Sequence, residues 1–259
     1  MKRGKRLKRV VIWLCAGAVA LVSALVVAWA TGLILHDSSQ AASVKQALRD
    51  FRAGNYRKSG LNGVYLYATS GNESIDALGG ASHTYPATTT VTAIEVPCGV
   101  QLDWAALSGR STTWTFCSTK AGTVLSISDE RHSFFGQHDH TTYTCSNRLL
   151  LSKEPKSGAV YPFRCRSQQG GSETGEVRIL GRVVLQVGDS RVQSLHARTS
   201  LTIHGGNSGD ETIDWWLDPA TSLPVRLVLH SRTGRSMYIG TVHYREDLTL
   251  SLLSLRPQR

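Results

Sequence analysis

The sequence predicts a mainly β domain, an antiparallel meander sheet shaped as a half-barrel or a sandwich. It lies behind one N-terminal transmembrane helix and a short juxtamembrane helix. Three observations carry this prediction. One long uncharged apolar run lies near the N-terminus, apolar residues beyond it alternate with period two, and four cysteines follow the run. The implied division is a basic tail over 1–9, a signal anchor over 10–35, a helix and linker over 36–60, and a β domain over 61–259.

Residues 10–35 run for 26 positions without a charge, and about 20 apolar residues suffice to cross a bilayer. Lys2, Arg3, Lys5, Arg6, Lys8 and Arg9 precede the run and no acid does. Such a bias holds the N-terminus in the cytoplasm and leaves the remainder outside, a single-pass type II arrangement in the cell membrane. The competing reading is a cleaved signal peptide with Ala28-Trp29-Ala30 as its small-x-small site. Signal peptides carry apolar regions of about 7–15 residues, so an uncleaved anchor is expected. Cys15 lies inside the span behind the bulky Trp13 and Leu14, and reads as a small apolar helix residue.

The formal charge of +10 comes from 29 basic against 19 acidic residues. With the six bases of the tail set aside, 23 remain, an excess of four. That balance asks for no polyanion, so nucleic acid is not an expected partner. The lipid bilayer is one, and Gly17 and Ala18 offer a small-residue face for a membrane-protein partner.

Cys98, Cys117, Cys145 and Cys165 all follow the anchor, an even number in the compartment where disulfides persist. Strand alternation places Tyr143 with Cys145, and Tyr161 and Phe163 with Cys165, so a 145–165 pair keeps aromatics on one face. The expected second pair, 98–117, fits less cleanly. Trp114 and Phe116 are out of step with Cys117, so that link needs a bulge or a path that is not a simple hairpin.

Val44, Leu48 and Phe51 recur at helical spacing, with Ser38 or Ser39 as a cap and Gly54 as a stop. From Gly63 the period becomes two. GVYLYATS, TTTVTAIEV, GVQLDW, TWTFC, TVLSIS, HTTYTC and VYPFRC read as strands, and a polar break over 167–175 separates them from a second group. That group covers 182–187, 192–203, 212–217, 224–232 and 238–255, with a turn at 232–235.

Within it, Ile213, Trp215 and Leu217 alternate with Asp214, Trp216 and Asp218. A register pairing Leu217 with Val225, Trp215 with Leu227 and Ile213 with Leu229 sets apolar against apolar. It also places Trp216 opposite Arg226, with Asp214 and Asp218 diagonal to that arginine. Pro219 and Pro224 mark the connecting loop.

The stretch WWLDPATSLPVRL resembles the W-x-D-x-x-T-x-L-P-V/I-R hairpin of LolA/LppX-like lipoprotein carriers and lipid-binding proteins. The chain as a whole resembles uncharacterised type II membrane-anchored envelope proteins of high-GC Gram-positive bacteria. The first resemblance implies a curved antiparallel half-barrel with an apolar concavity, and a lipid or another envelope ligand held near Trp215, Trp216 and Arg226.

Motifs for chemistry are sparse. His138 and His140 flank Asp139 on one strand face, the best metal candidates, with His132 six residues back, but no third ligand stands at a fixed spacing. There is no nucleophile elbow, P-loop, HExxH or dinucleotide glycine pattern. Asp214 and Asp218 lie about 13 Å apart along one strand, too far apart to act alone as a glycosidase pair. No catalytic residue or cofactor is therefore expected. The expected function is a membrane-anchored extracytoplasmic binding or interaction module. The rival readings are a metal-dependent envelope hydrolase at His138 and His140, and a structural subunit of an envelope complex.

Overall fold

Position along a strand decides which side chains this protein buries. The computed structural model describes Ser23 and residues 39–57, 60–77, 80–134, 137–237 and 240–259. The basic tail and the expected anchor over 10–35, apart from Ser23, lie outside the described residues. Among the described residues no helix is long and apolar enough to cross a membrane.

The chain enters its compact unit through α1 (Val44–Ala53). Ser43, not Ser38 or Ser39, caps it by accepting from the Gln46 amide, and Gly54 ends it. Only Phe51 of this helix is buried, stacked on Tyr56 with ring centroids 5.6 Å apart. Fourteen strands follow: β1 (Gly63–Ile75), β2 (Ala81–Thr84), β3 (Thr88–Val96), β4 (Gly99–Leu107), β5 (Arg110–Ser118), β6 (Gly122–Phe134), β7 (Gln137–Ser146), β8 (Leu149–Ser152), β9 (Val160–Ser167), β10 (Ser172–Val187), β11 (Ser190–His204), β12 (Ser208–Leu217), β13 (Pro224–Met237) and β14 (Gly240–Leu252).

The fold is mainly β and antiparallel, as the alternation predicts. The sheet, however, neither stops at a half-barrel nor splits into a sandwich. Twelve strands close in the order β14-β13-β12-β11-β10-β9-β7-β6-β5-β4-β3-β1, and β1 then pairs with β14. That seam runs from Tyr67↔Leu252 to Ile75↔Tyr244. β1 changes partner along its other edge, meeting β3 at Gly63–Ala68 and β2 at Asn72–Ile75. β8 is a short side branch on β6. Closure pairs most strand edges and so removes much of the template for aggregation, while β2 and β10 over 182–187 each pair along one side among the described residues.

The expected polar break over 167–175 is mostly strand. The link is short, and Glu173 is buried on β10 opposite Cys165. Glu173 is the one buried residue of that stretch, and Gln168, Gln169 and Gly170 are exposed in the turn between β9 and β10. Likewise β13 continues to Met237 through the turn expected at 232–235.

Both disulfides form as expected, Cys98–Cys117 and Cys145–Cys165. Cys145 and Cys165 face each other directly across β7 and β9, which flank the β8 excursion rather than forming one hairpin. Cys98 sits in the β3–β4 turn, and Gly99 takes the position opposite Cys117. The link therefore ties a turn tip to β5, which removes the phase conflict in the sequence. Each bridge closes a loop of about 20 residues, for which loop-closure entropy gives about 3 kcal/mol. Cys145→Ser with Cys165→Ser is expected to cost that much in urea unfolding, and an unchanged midpoint would contradict it.

Candidate functional site in the barrel interior

Inward-facing residues divide the barrel into two layers. One is aromatic and closed. Trp104, Trp215, Tyr67 and Phe116 are all at 0 % exposure. Trp215 meets Trp114 and Phe116 edge-on, at centroid distances of 5.6 and 6.0 Å, and Trp104 stacks on Trp114 at 6.5 Å. Offset and edge-to-face pairs of this kind satisfy the ring quadrupoles while removing large apolar areas from water.

The second layer is ionisable. Register alone builds it: Glu73 lies opposite Glu246, Glu246 opposite Ser231, Ser231 opposite Glu211, Glu211 opposite Leu201, and Leu201 opposite Gly175. Glu130 and His132 join from β6, facing Thr112 and Arg110 of β5. One part of this layer is internally satisfied. Arg110 binds Glu246 with two nitrogens (2.9–3.3 Å) and lies 3.8 Å from Glu73. It also sits 5.1 Å from the Trp104 ring. Tyr85 donates to Glu246 at 2.6 Å, and the Tyr244 hydroxyl reaches both Glu73 and Glu246. Burial opposes the charged form of Glu73, but His132, Arg110 and His83 outweigh it and hold its pKa below the usual carboxylate value. Burial and Arg110 likewise oppose the His132 imidazolium, yet Glu130, Glu73 and Glu246 prevail and raise its pKa.

The other part has a single cation among the described residues. Glu173 and Glu211 share one arginine, Arg148, whose Nη1 lies 3.2 Å from the Glu173 carboxylate. Burial, against the opposing pull of Arg148, pushes Glu173 up to about 7, with Glu130 adding to the rise. Among the described residues Glu211 makes no hydrogen bond or ion pair. Burial first, then Glu130 and Glu173, raise its pKa well above the ordinary range.

This end is also open. His132 and Glu130 keep 22 % and 27 % of their side chains accessible, against 1 % for Glu73. Glu211 and Tyr244 are half-buried, although desolvation is the largest influence on both. These half-buried groups are where the ionisable layer meets solvent. Cavities also lie elsewhere, including about 640 Å3 beneath α1, against β3, β4 and β5, and about 250 Å3 bordered by Lys153, Arg182 and Pro219.

The residues singled out from sequence scatter across both surfaces. Trp215 is core. Trp216 faces outward, and both its sheet neighbours occupy it: His196 stacks at 4.1 Å and the Arg226 guanidinium lies 5.2 Å from the ring. The register holds for Trp215↔Leu227 and Ile213↔Leu229, but a bulge sets Pro224, not Val225, opposite Leu217. Arg226 therefore does not gather the aspartates. Asp214 pairs with Arg198 at 3.0 Å and His196 at 2.8 Å on β11, while Asp218 accepts from Ala220 and Thr221 in the turn. His138 and His140 are exposed on the outer face, and His140 bonds Asp129 at 2.7 Å; His132 lies inside. Cys145, Cys165 and Glu173 form a group with metal-ligand proximity, but its two sulfurs are joined to each other.

Sequence reasoning missed the interior carboxylates, yet a signal exists. Each is in phase with its strand's apolar positions: Glu73 with Tyr65 and Tyr67, Glu211 with Ile213 and Trp215, Glu246 with Leu248 and Leu250, and Glu173 with Val177 and Ile179. A charge on the buried phase of a strand is expensive unless it is paired or used.

The raised groups give a pH prediction. A carboxyl whose folded pKa exceeds its unfolded value contributes stability fully below the unfolded pKa and loses it as pH rises through the folded one. Glu173, with Glu211 in the same direction, is expected to lower the melting temperature between about pH 5 and 8. Glu211→Gln should flatten that slope; an unchanged slope would contradict the assignment.

No family model, curated protein or solved structure matches the chain.

Proposed function

We propose that the chain is a membrane-anchored extracytoplasmic binding module of the cell envelope, tethered by residues 10–35. Its ligand enters the barrel at the end bearing Glu130, His132, Glu211 and Tyr244, and turns its apolar part toward the aromatic layer. The observation that carries this reading is the coexistence, inside one closed barrel, of a packed aromatic cluster and a layer of ionisable groups of which Glu130 and His132 keep accessible surface. Displaced pKa values concentrated in a concavity are a mark of functional sites, and the aromatic layer suits a lipid-derived or otherwise apolar body. Native mass spectrometry of the chain purified from its own host tests this. The expected result is a co-purifying small molecule released on unfolding; a protein of bare mass across several preparations would overturn the reading.

A further inference from the structure

We propose that the recess around Glu173 and Glu211 recognises an organic ammonium group that carries a neighbouring acceptor oxygen. The inference rests on the reading of the barrel as a binding module and names the chemistry of its ligand.

The carboxylates alone would not carry it. Glu173 and Glu211 face a single guanidinium, that of Arg148, while Arg110 is already committed to Glu246 and Glu73 and Glu130 has His132 beside it at 3.9 Å. A second observation is independent of charge: two polar groups beside them are deeply buried and lack a partner. Arg148 is 2 % exposed, and its Nε is unpartnered while its Nη1 holds Glu173. Its guanidinium is fixed 4.8 Å over the Phe163 ring, so it cannot swing out to find water. Thr199 is at 0 % exposure with an unpartnered hydroxyl. It lies on the inward phase of β11, two residues before Leu201, the partner of Glu211. Buried donors and acceptors in folded proteins are almost always paired. Unmet groups at one place describe the complement of a ligand.

The complement is specific. A bound cation would stabilise the ionised forms of Glu211 and Glu173, which burial otherwise disfavours. The Arg148 Nε–H needs an acceptor, and the Thr199 hydroxyl takes either role. An ammonium with an adjacent hydroxyl or carbonyl supplies both, whereas a carboxylate ligand would meet three acids. An apolar body on the ligand would face the aromatic layer, whose rings are themselves at 0 % exposure. Because Glu173 takes up a proton near pH 7, binding a cation competes with that proton. The titratable and charged groups acting on Glu173 and Glu211 are Glu130, Arg148, Tyr143 and Glu246, and none of them supplies a second cation.

The test uses the full chain in phosphatidylcholine nanodiscs and three probes with one ring and one hydroxyl in common. They are 2-amino-1-phenylethanol, 1-phenylethane-1,2-diol and mandelate, read by calorimetry and tryptophan fluorescence. At pH 8 the amine is expected to bind at least tenfold more tightly than the diol, and mandelate least. The preference should shrink at pH 6 and vanish in Glu211→Gln. That variant removes no hydrogen bond, and its fold is verified by melting. Equal binding of amine and diol, or a preference that survives Glu211→Gln, overturns the ammonium inference and leaves the binding module standing. If none of the three binds, the inference falls, and the mass of the host-purified chain then decides the module itself.

Discussion

Replacing Trp215 with alanine is expected to lower the unfolding free energy by about 3–5 kcal/mol, the range for deleting a large buried aromatic. The side chain is at 0 % exposure and is edge-on to both Trp114 and Phe116, so its loss opens a cavity that rigid rings cannot fill. Its neighbour gives the control. Trp216 lies outside, between His196 and Arg226, and a half-exposed cation–π contact contributes about 0.5–1 kcal/mol. Trp216→Ala should therefore cost several-fold less in the same urea titration. Trp215→Phe should fall between them. The Trp215 indole nitrogen has no hydrogen-bond partner, so removing it sacrifices area but no bond. Equal losses for the two alanine variants would contradict the inside–outside assignment.

The second large effect belongs to Arg110. It is 3 % exposed and is the cation for Glu246 and Glu73, which are themselves 2 % and 1 % exposed. Removing one partner of a buried ion pair costs about 3–5 kcal/mol, because the other charge is stranded. Arg110→Met is expected to fall in that range, and to cost more at pH 8 than at pH 5. Without the arginine, which helps hold the Glu73 pKa down, the folded pKa of Glu73 rises, so ionising it penalises the folded state as pH increases. Adding Glu246→Gln should recover part of the loss. A double variant whose cost equals the sum of the two single ones would contradict direct coupling.

Much of the fold was legible in the sequence. Alternation located the strands around Tyr65–Tyr67, Leu102–Trp104 and Trp114–Phe116. Apolar matching set the Trp215↔Leu227 register and the Trp216–Arg226 contact. The same local logic could not reveal barrel closure. The β1–β14 seam joins Tyr67 to Leu252, and nothing in either strand's own pattern names its partner. The short strands β2 and β8 were missed because four residues carry too little periodicity. The candidate site was the least legible part. Glu211 and Glu246 read locally as ordinary strand charges, and only the closed ring, with Arg110 brought in from β5 and Arg148 from the link between β7 and β8, makes them interior. The twin tryptophans drew attention by composition, whereas the groups with unmet chemistry are scattered over β10, β11, β12 and the link between β7 and β8.

Glu130 and Glu211 meet solvent at the ionisable layer, whereas Glu73 and Glu246 are sealed within it. Carbodiimide coupling of glycine ethyl ester to the native chain, mapped by peptide mass spectrometry, tests this contrast directly. Glu130 and Glu211 should be labelled under native conditions, while Glu73 and Glu246 should react only after unfolding. Protection of Glu211 to the same degree as Glu246 would mean that the interior is sealed, and would contradict the account.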